Sequence, residues 1–169
     1  KGLCTLEDHR NKNISYQLRY LIADRRINDV IIGNTYASES ELKELSEIDL
    51  SIPSLKIEKI SDIIEIERKI LYDFVHADRI DSSEYFIRSS ITRAFGKDID
   101  IPQRKSNKEF FEIGDVLIIN NKLAHYKGEV EIVKKKIKNT GERNLVGHIN
   151  KDEMKIVNML GEQNPFKII

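Results

Sequence analysis

The sequence lacks a second cysteine, an excess of either charge and any long apolar run. Cys4 alone cannot form a disulfide within the chain or a cysteine-rich zinc site. Lys plus Arg and Asp plus Glu both number 28, so the basic excess typical of nucleic-acid binding is missing. No apolar stretch approaches the roughly 20 residues that cross a bilayer. We therefore expect a soluble, cytoplasmic protein without metal or other cofactor and without nucleic-acid or membrane partners. The sequence is compatible with a homo-oligomer.

The first fifty residues have the pattern of alternating helices and a buried strand. Apolar residues recur at spacings of three and four across residues 15–26, which predicts a helix. Residues 29–33 (DVIIG) are almost wholly apolar and end in glycine, which is typical of a strand buried on both faces of a parallel sheet. Ser38 stands three residues before Glu41, the spacing of a capping box, so a second helix is expected there.

A parallel strand needs neighbouring strands that these fifty residues do not provide. We therefore expect upstream strands and a longer protein of which this chain is the C-terminal part, and the first residue, a lysine rather than a methionine, agrees with that expectation. Residues 2–5 then form the end of a preceding strand. Residues 6–13 form a loop at its C-terminal end, where α/β barrels carry their active sites.

From Leu50 onward the sequence predicts mainly strands. Isoleucine, with 27 residues, dominates the aliphatic content, and β-branched side chains favour sheets. We expect a hairpin between the strands at 114–120 and 129–137, and one helix at 151–160. The other expected strands are 52–60, 63–71, 85–93, 144–149 and 166–169. Short strands in this number favour a small barrel or closed sheet over a sandwich.

Six sequence blocks, in this order, resemble the C-terminal half of one bacterial family. They are TLEDHR from Thr5, DVIIGNTYASESEL from Asp29, IRSSITR from Ile87, GDVLIINN from Gly114, HYKGEVEIV from His125 and RNLVGHI from Arg143. The family was once labelled outer surface proteins and is similar to the 6-phospho-N-acetylmuramidases of peptidoglycan recycling. The resemblance spans nearly the whole chain.

The resemblance implies an α/β barrel remnant followed by a mainly-β barrel domain of cyclophilin-like fold. Residues 1–49 would be the C-terminal end of a TIM barrel, and residues 50–169 the cyclophilin-like domain. It implies an intracellular glycoside hydrolase that cleaves 6-phospho-muramic acid glycosides and is inactive as this portion alone. The alternative is a non-catalytic carbohydrate- or anion-binding module. A peptidyl-prolyl isomerase is disfavoured because fold does not imply function and no cyclophilin active-site block is recognised.

Candidate site residues in the N-terminal part follow the two expected strands. Glycoside hydrolysis needs two carboxyl groups about 5 to 9.5 Å apart, and Glu7 is the candidate to serve with a carboxylate upstream. His9 and Arg10 are candidate substrate contacts at the barrel mouth, and a salt-bridged loop is the structural alternative. Asn34 lies just before the second expected helix, whose N-terminus could bind a phosphate. The structural alternative is an ordinary strand end followed by a helix cap. His9 has no second ligand at metal spacing, so no metal site is expected.

Candidate anion and sugar contacts in the C-terminal part lie on the strand at 85–93 and around the hairpin turn. Arg88 and Ser90 share one face of a regular strand, so they could bind phosphate or carboxylate together, whereas Arg93 would point to the opposite face. A cross-strand ion pair is the alternative for Arg88. Asn120, Tyr126 and Glu129 are candidate ligand contacts. Turn architecture is their alternative, with Asn120 capping the turn and Gly128 at positive φ.

Overall fold

A computed structural model of the chain describes residues 6–33, 36–59 and 62–169. It divides into two compact units, Lys1–Ser54 and Leu55–Ile169. Within the described residues, no helix combines the length and the apolar character that a membrane span requires.

The first unit contains the two helices that the sequence predicts. A 3₁₀ helix, Glu7–His9, precedes α1 (Ile14–Asp24), and α2 spans Glu39–Ser46. The capping box at α2 is confirmed: the Ser38 hydroxyl accepts from the Glu41 amide, and the Glu41 carboxylate accepts from the Ser38 amide. The Asn13 side chain caps α1 and also donates to Glu44 Oε2 at 3.0 Å, which ties α1 to α2.

The predicted buried strand at 29–33 is not observed. These residues belong to no helix or strand, form no ladder with the described residues of the chain, and are exposed. Ile31 is 87% exposed, and Val30 and Ile32 are exposed as well. A strand is defined by its hydrogen-bonded neighbours, and the described residues of this unit supply none beside this segment.

The described residues of the second unit contain nearly all the strands, together with three short α-helices and a 3₁₀ segment, Asn121–Tyr126. The helices are α3 (Glu65–Tyr72), α4 (Arg93–Gly96) and α5 (Glu153–Val157). The strands are β1 (Ser54–Leu55), which begins at the last residue of the first unit, β2 (Glu58–Lys59), β3 (His76–Ala77), β4 (Phe86–Ser89), β5 (Phe110–Phe111), β6 (Asp115–Ile119), β7 (Val130–Val133), β8 (Ile137–Lys138), β9 (Arg143–His148) and β10 (Pro165–Ile168).

The central feature of this unit is a five-stranded antiparallel sheet with the order β2-β9-β6-β7-β4. The predicted hairpin is confirmed as β6 paired with β7, with Leu117 opposite Glu131. All of β6 is buried, and Phe111, Leu117 and Val133 form a fully buried cluster. Two smaller sheets, β1-β10-β3 and β5-β8, accompany the central one. The observed class is therefore mixed α/β.

The expected closed barrel is not observed among the described residues. The strands β2 and β4 are the two edges of the central sheet, and they do not pair with each other. The predicted strand at 52–60 is reduced to the two short strands β1 and β2, and Ile60 lies outside the described residues.

One predicted strand, at 63–71, is wrong. These residues contain the helix α3, with Glu67, Ile70 and Leu71 buried. Ile63, Ile66 and Ile70 stand at spacings of three and four, so the helical period was present beside the shorter alternation of Ile64 and Ile66.

Two further predicted strands are shorter than expected. The strand at 85–93 ends at Ser89, and Arg93 begins α4. The strand at 129–137 is interrupted between Val133 and Ile137. The strands β9 and β10 and the helix α5 agree in position with the predictions, although α5 is shorter.

Candidate functional site

Three arginines, one tyrosine and one buried glutamate come together at one end of the β4–β7 ladder. We call Arg79, Arg88, Arg93, Tyr126 and Glu129 the arginine–glutamate cluster. Arg88 lies on β4, Arg79 follows β3, and Arg93 begins α4. Tyr126 ends the 3₁₀ segment Asn121–Tyr126, which is kinked at Leu123, and Glu129 immediately precedes β7.

The register of β4 and β7 places Arg88 beside two carboxylates. Arg88 is opposite Glu131, and Glu129 lies two residues away on the same face of the strand. Arg88 Nε and Nη2 both lie 2.7 Å from Glu129 Oε1, whereas Nε is 3.9 Å from Glu131 Oε1. Arg143 on β9 forms an ion pair with Glu131 at 2.5 Å. The sheet thus pairs each of the two acids with its own arginine.

Glu129 is fully buried, and its second oxygen is not satisfied by the described residues. Arg79 Nη1 is 3.8 Å and Arg93 Nη1 is 3.9 Å from Glu129 Oε2, both beyond hydrogen-bonding distance. Burial raises the pKa of the Glu129 carboxyl above its usual range, and the charge and hydrogen bond of Arg88 oppose that shift. Two guanidinium groups therefore face this carboxylate without hydrogen bonding to it.

Tyr126 adds an aromatic face to the cluster. The guanidinium carbon of Arg93 lies 4.9 Å from the centre of the Tyr126 ring, and that of Arg88 lies 5.4 Å from it. Arg93 Nη2 also donates to the carbonyl oxygen of His125 at 2.7 Å. Arg79 holds Asp81 through two hydrogen bonds of 2.6 Å, and this contact lowers the pKa of Asp81. All three arginine side chains are part-exposed, with exposed fractions of 19 to 28%.

The expectation that Arg93 points away from Arg88 is wrong. Because β4 ends at Ser89, residues 90–92 form a turn, and Arg93 returns to the same carboxylate that Arg88 contacts. Ser90 is therefore not on the strand, and its carbonyl oxygen accepts from the Arg93 amide. The cross-strand ion pair that was the alternative for Arg88 is present.

Asn120 and Gly128 have the structural roles that were the alternative to ligand contact at the hairpin turn. Asn120 is fully buried: its Oδ1 accepts from the Lys122 amide at 3.0 Å, and its Nδ2 donates to Gly141 O and Asn144 Oδ1. Gly128 has a φ of +84°. The Asn120 amide is thus already bonded on both sides.

The N-terminal candidates lie together around the first 3₁₀ helix. Glu7 and Arg10 form a bidentate ion pair, and this contact lowers the pKa of the exposed Glu7 carboxyl. His9 is buried, with the Tyr20 ring edge-on at 4.8 Å and the Tyr16 ring at 5.9 Å. Glu7 is thus held as an ionised carboxylate, which suits a base or nucleophile better than an acid. Asn34 and Cys4 lie outside the described residues.

The comparisons with known proteins agree across both units. The model of the C-terminal part of the 6-phospho-N-acetylmuramidases matches residues 53–169, and the model of the N-terminal part matches residues 1–47. The chain belongs to the 6-phospho-N-acetylmuramidase family. The C-terminal match covers the whole arginine–glutamate cluster, and the N-terminal match covers Glu7, His9 and Arg10.

Two solved structures are similar to this member of the family. A crystal structure of a B. cereus protein described as uncharacterized shares 38% identity over 99% of this chain, with a TM-score of 0.92. A conserved Enterococcus faecalis protein described as of unknown function shares 23% identity over 99% of this chain, with a TM-score of 0.65, and shows the fold alone. The chain spans 48% and 44% of the lengths of these two chains, about half of each. No curated protein matches it.

Sequence reasoning missed Arg79 and misplaced Arg93. Arg79 lies in a turn-rich segment without periodicity, and only the return of the chain into β4 brings it to Glu129. The signal for Arg93 was the polar run Ser89, Ser90 and Thr92, whose side chains favour turns over strands. Among the residues that the structure describes, no group of three His, Cys, Asp or Glu side chains could hold a metal ion.

Proposed function

We propose that this chain is part of a glycoside hydrolase that cleaves 6-phospho-N-acetylmuramic acid glycosides during peptidoglycan recycling. The observation that carries the proposal is the match to both parts of one family in the same chain order, over residues 1–47 and 53–169. We further propose that the enzyme acts in the cytoplasm, where a single cysteine would stay reduced.

We propose that residues 1–49 complete a TIM barrel and that residues 50–169 form a cyclophilin-like domain. The exposed apolar residues Val30, Ile31 and Ile32 support the first part, because a strand of this composition is stable when parallel neighbours cover both faces. The antiparallel central sheet with a buried hairpin supports the second part.

In this proposal, the arginine–glutamate cluster recognises the anionic groups of the sugar. A 6-phospho-muramic acid carries a phosphate and a lactyl carboxylate, and guanidinium groups bind both in a bidentate manner. Arg88 hydrogen-bonds Glu129, whereas Nη1 of Arg79 and of Arg93 lie beyond hydrogen-bonding distance of it, so we assign the binding of the anion to Arg79 and Arg93. Tyr126 would pack on the sugar ring, and Ser90 would add a hydroxyl donor at the rim.

The N-terminal loop would supply contacts near the scissile bond. In this proposal Glu7, whose pKa is lowered by Arg10, acts as a base or nucleophile together with a carboxylic acid from the rest of the protein. His9 and Arg10 are proposed substrate contacts on the same loop, and Asn34 is a proposed phosphate contact on the next one. Asn120 and Glu129 are proposed to support the sugar site from the hairpin.

The test is hydrolysis by the full-length protein of a 6-phosphorylated muramyl glycoside and of the same glycoside without phosphate. Product sugars would be quantified by mass spectrometry. We expect the phosphorylated substrate to be cleaved about a hundredfold faster, because the other lacks the charge-assisted hydrogen bonds to arginine. Equal rates would contradict phosphate recognition, and the absence of cleavage of either would contradict the hydrolase.

The arginine–glutamate cluster also favours a second function, a non-catalytic module that binds anionic carbohydrate. Binding of the phosphorylated glycoside to the full-length protein without any cleavage would support this function over the hydrolase.

A further inference from the structure

Glu129 is the one member of the arginine–glutamate cluster that repels an anion. Its side chain is fully buried, whereas the three arginines around it are part-exposed. Glu129 Oε1 accepts two hydrogen bonds of 2.7 Å from Arg88, but Oε2 accepts none from the described residues. A buried carboxylate oxygen that lacks a donor makes the ionised form costly.

The two other arginines are held beside Glu129 by partners of their own. Arg79 donates two hydrogen bonds of 2.6 Å to Asp81, and its Nη1 stays 3.8 Å from Glu129 Oε2. Arg93 donates to His125 O and lies against the Tyr126 ring, and its Nη1 stays 3.9 Å from the same oxygen. Both guanidinium groups therefore add positive charge near Oε2 without hydrogen bonding to it.

The charges around Glu129 come from every element packed against it. Burial is the largest cause that raises the pKa of Glu129, the charge of Glu131 raises it further, and Arg88 and Arg79 oppose these effects. Glu131 is itself paired with Arg143. The other titratable side chains nearby are Asp78, whose Oδ1 accepts from the Arg88 amide, Asp81, Tyr126 and His125, whose ring contacts that of Tyr126.

An anion held by Arg79 and Arg93 would bring a second negative charge close to Glu129. Like charges within about 4–6 Å of each other disfavour the ionised form of a carboxyl group. The anion would also draw on the same guanidinium groups that offset the charge of Glu129. A proton on Glu129 relieves this repulsion, because the neutral carboxyl keeps Oε1 as the acceptor for Arg88 and gains a donor at Oε2.

We infer that an oxyanion binds the arginine–glutamate cluster together with one proton, which passes from the solvent to Glu129 Oε2. The new O–H group donates to an oxygen of the bound anion. This inference rests on the proposed anion binding by the cluster and adds its regulation by pH. Affinity for the anion should be highest when Glu129 is already protonated. It should fall as the pH rises from the pKa of Glu129 in the free protein to its higher pKa in the complex.

The test is a calorimetric titration of the whole chain with sodium sulfate, in two buffers that differ in their enthalpy of ionisation. Sulfate does not titrate near neutral pH, so a heat that depends on the buffer reports a proton taken up by the protein. We expect proton uptake on binding. We also expect the affinity to increase by up to about tenfold for each unit by which the pH is lowered between the two pKa values.

Two variants locate the proton. Glu129→Gln keeps an acceptor for Arg88 but has no proton to gain, so it should bind sulfate without proton uptake and with an affinity that does not depend on pH. His125→Gln is the matched control, since it removes the exposed histidine next to Tyr126 and should retain the uptake of the wild type. Equal thermal unfolding midpoints establish that both variants are folded.

A further measurement needs no variant. The side-chain carboxyl ¹³C resonance of Glu129 should move towards its protonated position when sulfate is added at constant pH. Sulfate binding without proton uptake, an unmoved resonance, or loss of the uptake in His125→Gln would overturn this inference and leave the proposed anion site intact. No sulfate binding at all would contradict the anion site itself. Neither result depends on glycoside cleavage.

Discussion

Residues 55–169 bury the isoleucines and valines of their central sheet, whereas residues 1–54 leave a run of the same residue types in solvent. Ile118 in β6 is 0% exposed and Ile31 is 87% exposed, although both lie in short apolar segments. The difference lies in the partners. The β6 strand has β7 and β9 on its two sides, and residues 29–33 pair with no described strand. An apolar pattern predicts burial only where the rest of the sheet is present.

The two units also differ in how they hold charge. In the second unit Glu67, Asp115 and Glu129 are fully buried and bonded to arginine or lysine. In the first unit the ion pairs of Glu7 and Asp24 join residues two or three positions apart, and both of the partner arginines are exposed. In these three places of the second unit the fold brings a buried carboxylate to its cation, whereas the two pairs of the first unit join near neighbours in the sequence.

The largest effect is expected from emptying the core of the second unit. Phe111→Ala should lower the free energy of unfolding by about 3–5 kcal/mol, because a fully buried ring is removed from its cluster with Leu117 and Val133. Ile31→Ala, its counterpart in the first unit, should change it by less than about 0.5 kcal/mol. Urea unfolding curves measure the free energy of unfolding of both variants. Similar losses of free energy in the two variants would contradict the difference between the units.

The next largest effect on stability comes from comparing a buried carboxylate with an exposed one. Glu67→Ala should cost about 3 kcal/mol, because it removes the buried carboxylate that accepts hydrogen bonds from Arg104, the Asn144 amide and the Ile64 amide. Glu7→Ala removes an ion pair at the surface and should leave the unfolding midpoint unchanged. Thermal unfolding monitored by circular dichroism compares the two. If Glu67→Ala has the unfolding midpoint of the wild type, the hydrogen bonds of Glu67 contribute little to stability.

Two glycines, one in each unit, compare how tightly the two units pack against their backbones. Gly128 has a φ of +84°, and an added Cβ would lie 2.9 Å from the Gly96 Cα. Gly128→Ala should therefore cost at least about 1–2 kcal/mol. At Gly33 an added Cβ meets nothing within 4 Å, so Gly33→Ala should be close to neutral. Chemical unfolding of both variants tests this, and a neutral Gly128→Ala would contradict the tight contact at the hairpin turn.

The smallest effect is a pH dependence located in the second unit. Burial lowers the pKa of His76 below its usual value of 6.5, with Nδ1 3.1 Å from Ser89 Oγ and Nε2 3.0 Å from Leu71 O. The unfolded chain binds the proton first as the pH falls. Stability should therefore decrease below about pH 6.5 and continue to decrease until the folded-state pKa is reached.

The His76→Gln variant checks this assignment through unfolding midpoints between pH 7 and pH 5. It should lose part of that pH dependence, while His125→Gln, at an exposed position, should retain it. If His76→Gln and the wild type have the same pH dependence, the buried histidine is not its source.

Local signals in the sequence were sufficient for several elements. The capping box at Ser38 and the spacing of apolar residues in α1 depend on neighbours within one or two turns, so both helices were predictable. The β6–β7 hairpin was predictable because its turn carries Asn120 and Gly128. The helix α3 was missed because Ile64 and Ile66 also fit a strand period, and a short segment does not distinguish the two.

The candidate site was predictable only in part, for a physical reason. Arg88, Tyr126 and Glu129 were proposed from sequence blocks, and the fold brings them together. Arg79 and the true direction of Arg93 depend on where β4 ends and on how the chain enters it. Those features are set by tertiary packing and not by residues nearby in the sequence.

We propose that this chain takes part in recognising a phosphorylated sugar but needs the rest of the protein to cleave it. The most direct measurement incubates the 169-residue chain and the full-length protein, separately, with a 6-phospho-N-acetylmuramyl glycoside and follows product release. We expect cleavage by the full-length protein and none by the chain alone. Cleavage by the chain alone would contradict the account, because it would place both catalytic carboxyl groups within these residues.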